Sequence, residues 1–200
     1  MSKFDRVRWE VSTAIALARL RSLGITLGEG GRFLGQPIVT RHVNSSISIG
    51  DRLVATSQSR GTALGVRGPV IFRTLADGAS LSIGEDNGMS GTVICAAKSI
   101  QIGSRCLFGA DTMIFDTDFH GHERGDGEDV AYRRYRPVDW DLVSSPVIIG
   151  DDVFLGARVV VAKGVTIGDG SIIAANSVVS RSIPANCVAA GSPAKVVRRL

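Results

Sequence analysis

From Ile149 onward, apolar positions recur every six residues: Ile149, Leu155, Val161, Ile167, Ile173 and Val179 are all aliphatic. The residue after each is small, namely Gly150, Gly156, Ala162, Gly168, Ala174 and Ser180. Four residues after each aliphatic stand Val153, Val159, Val165, Ser171, Ser177 and Ile183. A second run, in another phase, holds Ile102-Gly103, Phe108-Gly109 and Ile114. Weaker matches precede it at Leu27-Gly28, Phe33, Ile49-Gly50, Ile71, Ile83-Gly84 and Met89. A one-residue slip between Cys95 and Ile102 accounts for the change of phase.

A period of six fits neither the 3.6 of a helix nor the two-residue alternation of a long strand. It does fit a short flat strand followed by a turn. Three such units make one triangular coil, and coils stack at the strand spacing of about 4.8 Å. The aliphatic points inward and the small residue fits the tight corner. The pattern therefore predicts an all-β chain folded as a parallel β-helix.

Two segments break the repeat. Residues 2–23 read as a helix, with Phe4, Val7, Val11, Ala14, Ile15 and Ala18 on one face and Arg6, Glu10, Thr13 and Arg21 away from it. That apolar face is expected to pack on the first coil. The division is then a helix over 1–24 and a repeat domain over 25–200. The second break, about 116–146, is an extruded loop that carries Asp116-Thr117-Asp118-Phe119-His120-Gly121-His122-Glu123-Arg124. A long insertion inside a compact repeat is usually functional.

Composition narrows the class. The 200 residues include 24 glycines but only 6% aromatics, which suits a narrow interior with many turns. Arg, Lys, Asp or Ser interrupts every apolar run, so no membrane span is expected. The first residues lack the apolar core of a secretory signal, so a cytoplasmic location is expected. The net charge of +4 comes mostly from arginine, with lysine only at positions 3, 98, 163 and 195. No basic run is interleaved with aromatics, which argues against nucleic acid. Cys95, Cys106 and Cys187 have no metal-ligand spacing and read as buried, reduced thiols.

The hexapeptide run, the histidine-bearing loop and the ending Ala189-Ala190-Gly191-Ser192-Pro193-Ala194-Lys195-Val196-Val197 together resemble the hexapeptide-repeat acyltransferases. Among these the chain is most similar to the galactoside and maltose O-acetyltransferases and to O-acetyltransferases of surface polysaccharides. The resemblance implies a left-handed β-helix, a homotrimer, and acetyl-CoA held in grooves between subunits. It also implies direct acetyl transfer to a hydroxyl of a carbohydrate. An imidazole suits that chemistry, because it can take the proton of a poorly nucleophilic hydroxyl as it attacks the thioester.

Three histidines compete for the role of base. His42 lies in the poorly repeating Thr40–Ser46 stretch and reads as a structural corner residue. His120 and His122, two apart, face opposite ways on an extended segment, so only one faces the groove. The family's active histidine follows the pattern D-x-D-F-H, which here is Asp116 to His120. Gly121 stands where many relatives have proline. On the acceptor side, Asp118 either orients His120, bonds the sugar, or is a turn-forming residue. Ser90 falls near the family's acceptor-side asparagine. For the donor, Ala157 and Ala175 match positions whose backbone lines the pantetheine channel. Ser180-Arg181 replaces a usual Thr-Lys, and Lys195 and Arg198 match basic positions that meet the nucleotide phosphates. Phe154 replaces a tryptophan common in relatives. Glu123, Asp126 and Glu128 read as a solvated loop, and no metal is expected.

Three other functions use the same coil. A zinc lyase needs three converging histidines, and here two of the three share one loop. A non-catalytic scaffold would not need the loop histidine. Transfer to the amine of a nucleotide sugar is a close chemical relative. The sequence names neither the acceptor nor the length of the acyl group.

Overall fold

The structure, a computed structural model, describes residues 3–120 and 138–200, with residues 3–6 described for backbone alone. Short strands stack into three sheets that form the faces of a triangular prism. The first face runs Thr26–Leu27, Ser46–Ile49, Ser80–Ile83, Ser99–Ile102, Val147–Ile149 and Thr166–Ile167. The second runs Arg32–Leu34, Val54–Thr56, Gly88–Ser90, Leu107–Phe108, Phe154–Leu155 and Ile172–Ile173, then Cys187–Gly191 and Ala194–Arg199. The third runs Ile38–Thr40, Ile71–Thr74, Val93–Ala96, Met113–Phe115, Val160–Val161 and Val178–Val179. Neighbours pair in parallel throughout, except the antiparallel pair that closes the second face. This is the parallel β-helix that the six-residue period predicts.

The repeat positions do what the spacing requires. Ile149, Leu155, Val161, Ile167, Ile173 and Val179 are all buried in one continuous core. The small residue after each is a matter of backbone approach. A Cβ built on Gly109 would lie 2.4 Å from the Ala157 nitrogen, and one on Gly156 would lie 2.5 Å from the Ala175 nitrogen. No side chain fits between coils there.

The early repeats need two adjustments. Phe72, not Ile71, points inward on the third face, with Ile71 half-buried on the outside. The phase change is also not one slip between Cys95 and Ile102. Strand pairing puts the inward series at Ile83, Met89, Ile94 and Ile102. The chain is thus one residue short at the Gly91 corner and two long at the next, which sum to the single offset seen in the pattern. The stretch 57–70, with a short 3-10 turn at Ser59–Gly61, is a further departure from the repeat.

The helix Lys3–Ser22 packs on the first coil, but not by the expected face. Val7, Val11 and Ile15 are each more than half exposed, and Ala14 and Ala18 are exposed too; the Phe4 side chain lies outside the described residues. The contact is made by Ala16 and Leu20, with Ser12 and Thr13 bonding the coil. The Phe33 amide donates to Thr13 Oγ1 at 2.9 Å, and the Gly35 amide to Ser12 Oγ at 3.0 Å. The open end of a β-helix presents unpaired amides, so hydroxyls there outweigh apolar area.

Candidate active site

The loop leaves the third face after Phe115 and rejoins the first at Val147. Its base is built around Asp116, whose fully buried carboxylate accepts from the amides of Ala97, Lys98 and Ser99 at 2.6, 2.8 and 2.7 Å. Burial pushes this carboxyl above the usual range, against the pull of those amides. The two loop ends are also zipped together. Ser145 donates its amide to the Asp116 carbonyl, Thr117 bridges Ser144, and the Asp118 amide donates to Val143.

Phe119 then takes a left-handed turn, φ +64°, with its amide on Thr117 Oγ1 and its ring 5.7 Å from that of Phe115. That turn presents His120, which is exposed. His122, with Gly121, Glu123, Asp126 and Glu128, lies outside the described residues. Lys163, which sequence reasoning passed over, reaches the loop base from the next coil. Its Nζ lies 2.5 Å from Asp118 Oδ2 and donates to the Val143 carbonyl at 2.9 Å. The Asp118 carboxylate is therefore engaged by a lysine. The signal in the sequence was only that Lys163 is one of four lysines and follows the loop by one coil.

The expected donor-side residues are spread over two corners and the final strand, and Ser90, expected on the acceptor side, stands with the first group. Ser90, Ala157 and Ala175 share the corner between the second and third faces. Amide-to-carbonyl bonds run down it from Asp111 to Ser90, Arg158 to Ala110 and Asn176 to Ala157. A cleft of about 170 Å³ opens on this column, lined by Leu64, Gly65, Ala110, Ala157, Arg158 and Asn176. Leu64 and Gly65 come from the 57–70 insertion, which the pattern did not single out. Ser180 and Arg181 are exposed at the corner where the third face ends, the same corner as His120. Lys195 and Arg198 are exposed on the final antiparallel strand, and Phe154 is 43% exposed on the second face. Within one chain, His120 and the Ala157–Ala175 column thus stand at opposite edges of the third face.

His42 occupies a corner three coils from His120, about 14 Å at the strand spacing. Its Nδ1 lies 3.1 Å from Asp77 Oδ1. Among the described residues no group of three His, Cys, Asp or Glu side chains is placed to hold a metal ion. The three cysteines are free and buried, and burial pushes the Cys106 thiol up to about 11. No helix among the described residues is long and apolar enough to cross a membrane.

Residues 146–181 match the family model described as "Hexapeptide repeat of succinyl-transferase". Over 56 residues the chain is 48% identical to a 2,3,4,5-tetrahydropyridine-2,6-dicarboxylate N-acetyltransferase of Staphylococcus aureus. That match takes in 28% of this chain and only 23% of the length of the relative. Among solved structures, the chain is similar to AntD, an N-acyltransferase from Bacillus cereus in complex with dTDP and 3-hydroxybutyryl-CoA. The TM-score is 0.64 at 17% identity, over 92% of this chain and 87% of that one. It also resembles a hexapeptide-repeat-containing acetyltransferase from Vibrio cholerae, with TM-score 0.53, 22% identity and coverage of 98% and 85%. A maltose O-acetyltransferase from Clostridium difficile gives TM-score 0.50 at 21% identity, over 92% and 74%. The likenesses to solved structures show the fold, a left-handed β-helix.

Proposed function

We propose that this protein is an acyltransferase that moves an acetyl group from acetyl-CoA to a hydroxyl of a carbohydrate, with His120 as general base. The observation that carries the reading is the braced loop base: Asp116 and Lys163 fix the backbone on which an exposed imidazole is presented. His120 takes the acceptor proton, the oxygen attacks the thioester carbon, and the C–S bond breaks as the sulfur receives that proton. An amide of a coil corner can donate to the oxyanion that forms in between. Ala157 and Ala175 let the thiol arm run close to the backbone. Ser180, Arg181, Lys195 and Arg198 meet the nucleotide end, and Ser90 lies on the acceptor side.

The working unit is a homotrimer. The donor column and His120 sit at opposite edges of one face, so a neighbouring copy must bring one to the other. Two faces have the surface for it. The outward row of the second face holds Leu107, Phe154, Ile172 and Val188 in register. That of the third holds Ile71, Val93, Met113, Val160 and Val178. The first face shows mainly Ser48, Ser82, Gln101 and Thr166 to solvent. Contact of one apolar face with the other, repeated around an axis, closes a ring.

The test is thiol release from acetyl-CoA with a panel of sugars, oligosaccharides and amino nucleotide sugars. His120→Ala is expected to lower kcat by about two to four orders of magnitude with little change in the KM for acetyl-CoA. Equal activity in that variant, or transfer to amines alone, would overturn the reading.

A further inference from the structure

A single cation interrupts the apolar exterior of the third face. Thr40, Arg73, Cys95 and Phe115 occupy one outward row, aligned strand to strand. Arg73 is half-buried, and its Nε is buried without a hydrogen-bond partner. Among the described residues it makes no ion pair. The nearest buried carboxylate, Asp116, is occupied by three backbone amides. The immediate neighbour in the row, Cys95, carries a thiol that burial keeps neutral. A guanidinium set in an apolar surface without a counter-charge is costly, and its planar fork is made for a carboxylate or phosphate.

The row leads to the candidate base. Two strand spacings, about 10 Å, separate Arg73 from Phe115. Phe115 packs at a tilt against Phe119, and His120 is the next residue. The distance from an arginine head to the imidazole is then on the scale of one or two sugar rings.

We propose that Arg73 is the recognition residue for an anionic acceptor: it binds the carboxylate or phosphate of an acidic sugar whose hydroxyl is presented to His120. This rests on the acetyl-transfer reading above. The ring sits along the loop-side row of the third face, beside the row assigned to the neighbouring copy, with its acid group at Arg73 and its reactive hydroxyl at the mouth of the loop.

The experiment compares glucose, glucuronate and glucose 6-phosphate, each also as its β-linked disaccharide, in thiol-release assays with acetyl-CoA. The wild type is expected to favour an acidic acceptor over the neutral one by at least about tenfold in kcat/KM. Arg73→Gln should erase that preference through the acceptor KM, leave the KM for acetyl-CoA within twofold, and keep the oligomeric state. Arg73→Lys should restore part of the preference, and the carboxylate and phosphate arms identify which anion is taken. A wild type that favours neutral sugars, or acetylates no acidic one, overturns the proposal. So does a preference that survives Arg73→Gln, or an Arg73→Gln protein that falls apart into monomers, since the arginine would then serve a contact between copies. Acetylation of neutral sugars that depends on His120 but not on Arg73 defeats this proposal alone. Indifference to His120→Ala defeats the acetyl-transfer reading beneath it.

Discussion

Lys163 and Asp118 form an ion pair across the base of the loop, and the same ammonium holds the Val143 carbonyl at the end of the short helix Trp140–Val143 on the returning limb. Both side chains are about 30% exposed, so the pair is shielded more than a surface bridge and less than a core one. The lysine thereby ties the outgoing and incoming limbs at one point, two residues before His120. Lys163→Met is expected to lower kcat about 10- to 100-fold, as misplacement of a base by an ångström does, with the KM for acetyl-CoA within twofold. Lys163→Arg keeps a cation there and should recover most of the rate. A Lys163→Met enzyme with wild-type kcat would show that the clamp positions nothing.

Asp116 is the structural root of the same loop. Its replacement by alanine leaves the buried amide of Ala97 and the part-buried amides of Lys98 and Ser99 without an acceptor, at about 1–3 kcal/mol for each that finds no water. For a chain of this size a loss of several kcal/mol lowers Tm by roughly 10 °C or more. Thermal unfolding of Asp116→Ala measures it. Because burial raises the Asp116 carboxyl, its protonated form is favoured in the fold, and stability tied to that proton is lost as pH rises through the raised value. Asp116→Asn has no such proton, so the stability gap between wild type and this variant should narrow from acid to neutral pH.

Gly156 tests the repeat itself. An added Cβ would sit 2.5 Å from the Ala175 nitrogen and 2.9 Å from its Cα, both backbone atoms of the next coil. Gly156→Ala must therefore push two coils apart, at a cost of about 1–3 kcal/mol, or roughly 3–10 °C in Tm. The strain falls on the corner assigned to the thiol arm. The KM for acetyl-CoA should rise more than the KM for the acceptor, and a variant as stable as wild type would mean that close approach of the two coils is not required at this corner.

The corner between the first and second faces carries a charge ladder. Arg52 bonds Asp86 and Glu85, and Arg105 bonds Asp152 and Asp151. The guanidinium bonds hold the Asp86 and Asp152 carboxyls below their ordinary value of 3.8. A depressed folded value means the contribution is present above the unfolded value and is lost as pH falls through the folded one. Asp86→Asn with Asp152→Asn should therefore remove a contribution that is present above about pH 4 and absent below it, which flattens the acid limb of the stability profile, and the loss at neutrality is small because the pairs are exposed. Salt near 1 M should shrink even that difference. A large loss at pH 7 would contradict it.

The six-residue series from Ile149 to Val179 was readable in the chain because each coil repeats one requirement, an aliphatic inside and a small residue at the corner. His120 was readable for a similar reason, since it stands at a break in that series, within a pattern similar to relatives. The helix was legible as a helix, yet its docking face was not. Val7, Val11 and Ile15 make the apolar stripe, but Ser12 and Thr13 meet the amides at the coil end, a demand that only the assembled coil creates. Ile71 was misread because two neighbouring apolar residues, Ile71 and Phe72, fit the pattern equally until the pairing register assigns one inward. Lys163 and Arg73 were invisible in the sequence, since stacking brings Lys163 to Asp118 across 45 positions and leaves Arg73 without an ion pair among the described residues. A local repeat can dictate a coil, because every residue it constrains lies within one turn of the next. Which charges meet between coils depends on the register of the stack and on the loop that leaves it, and that was decided only by the tertiary structure.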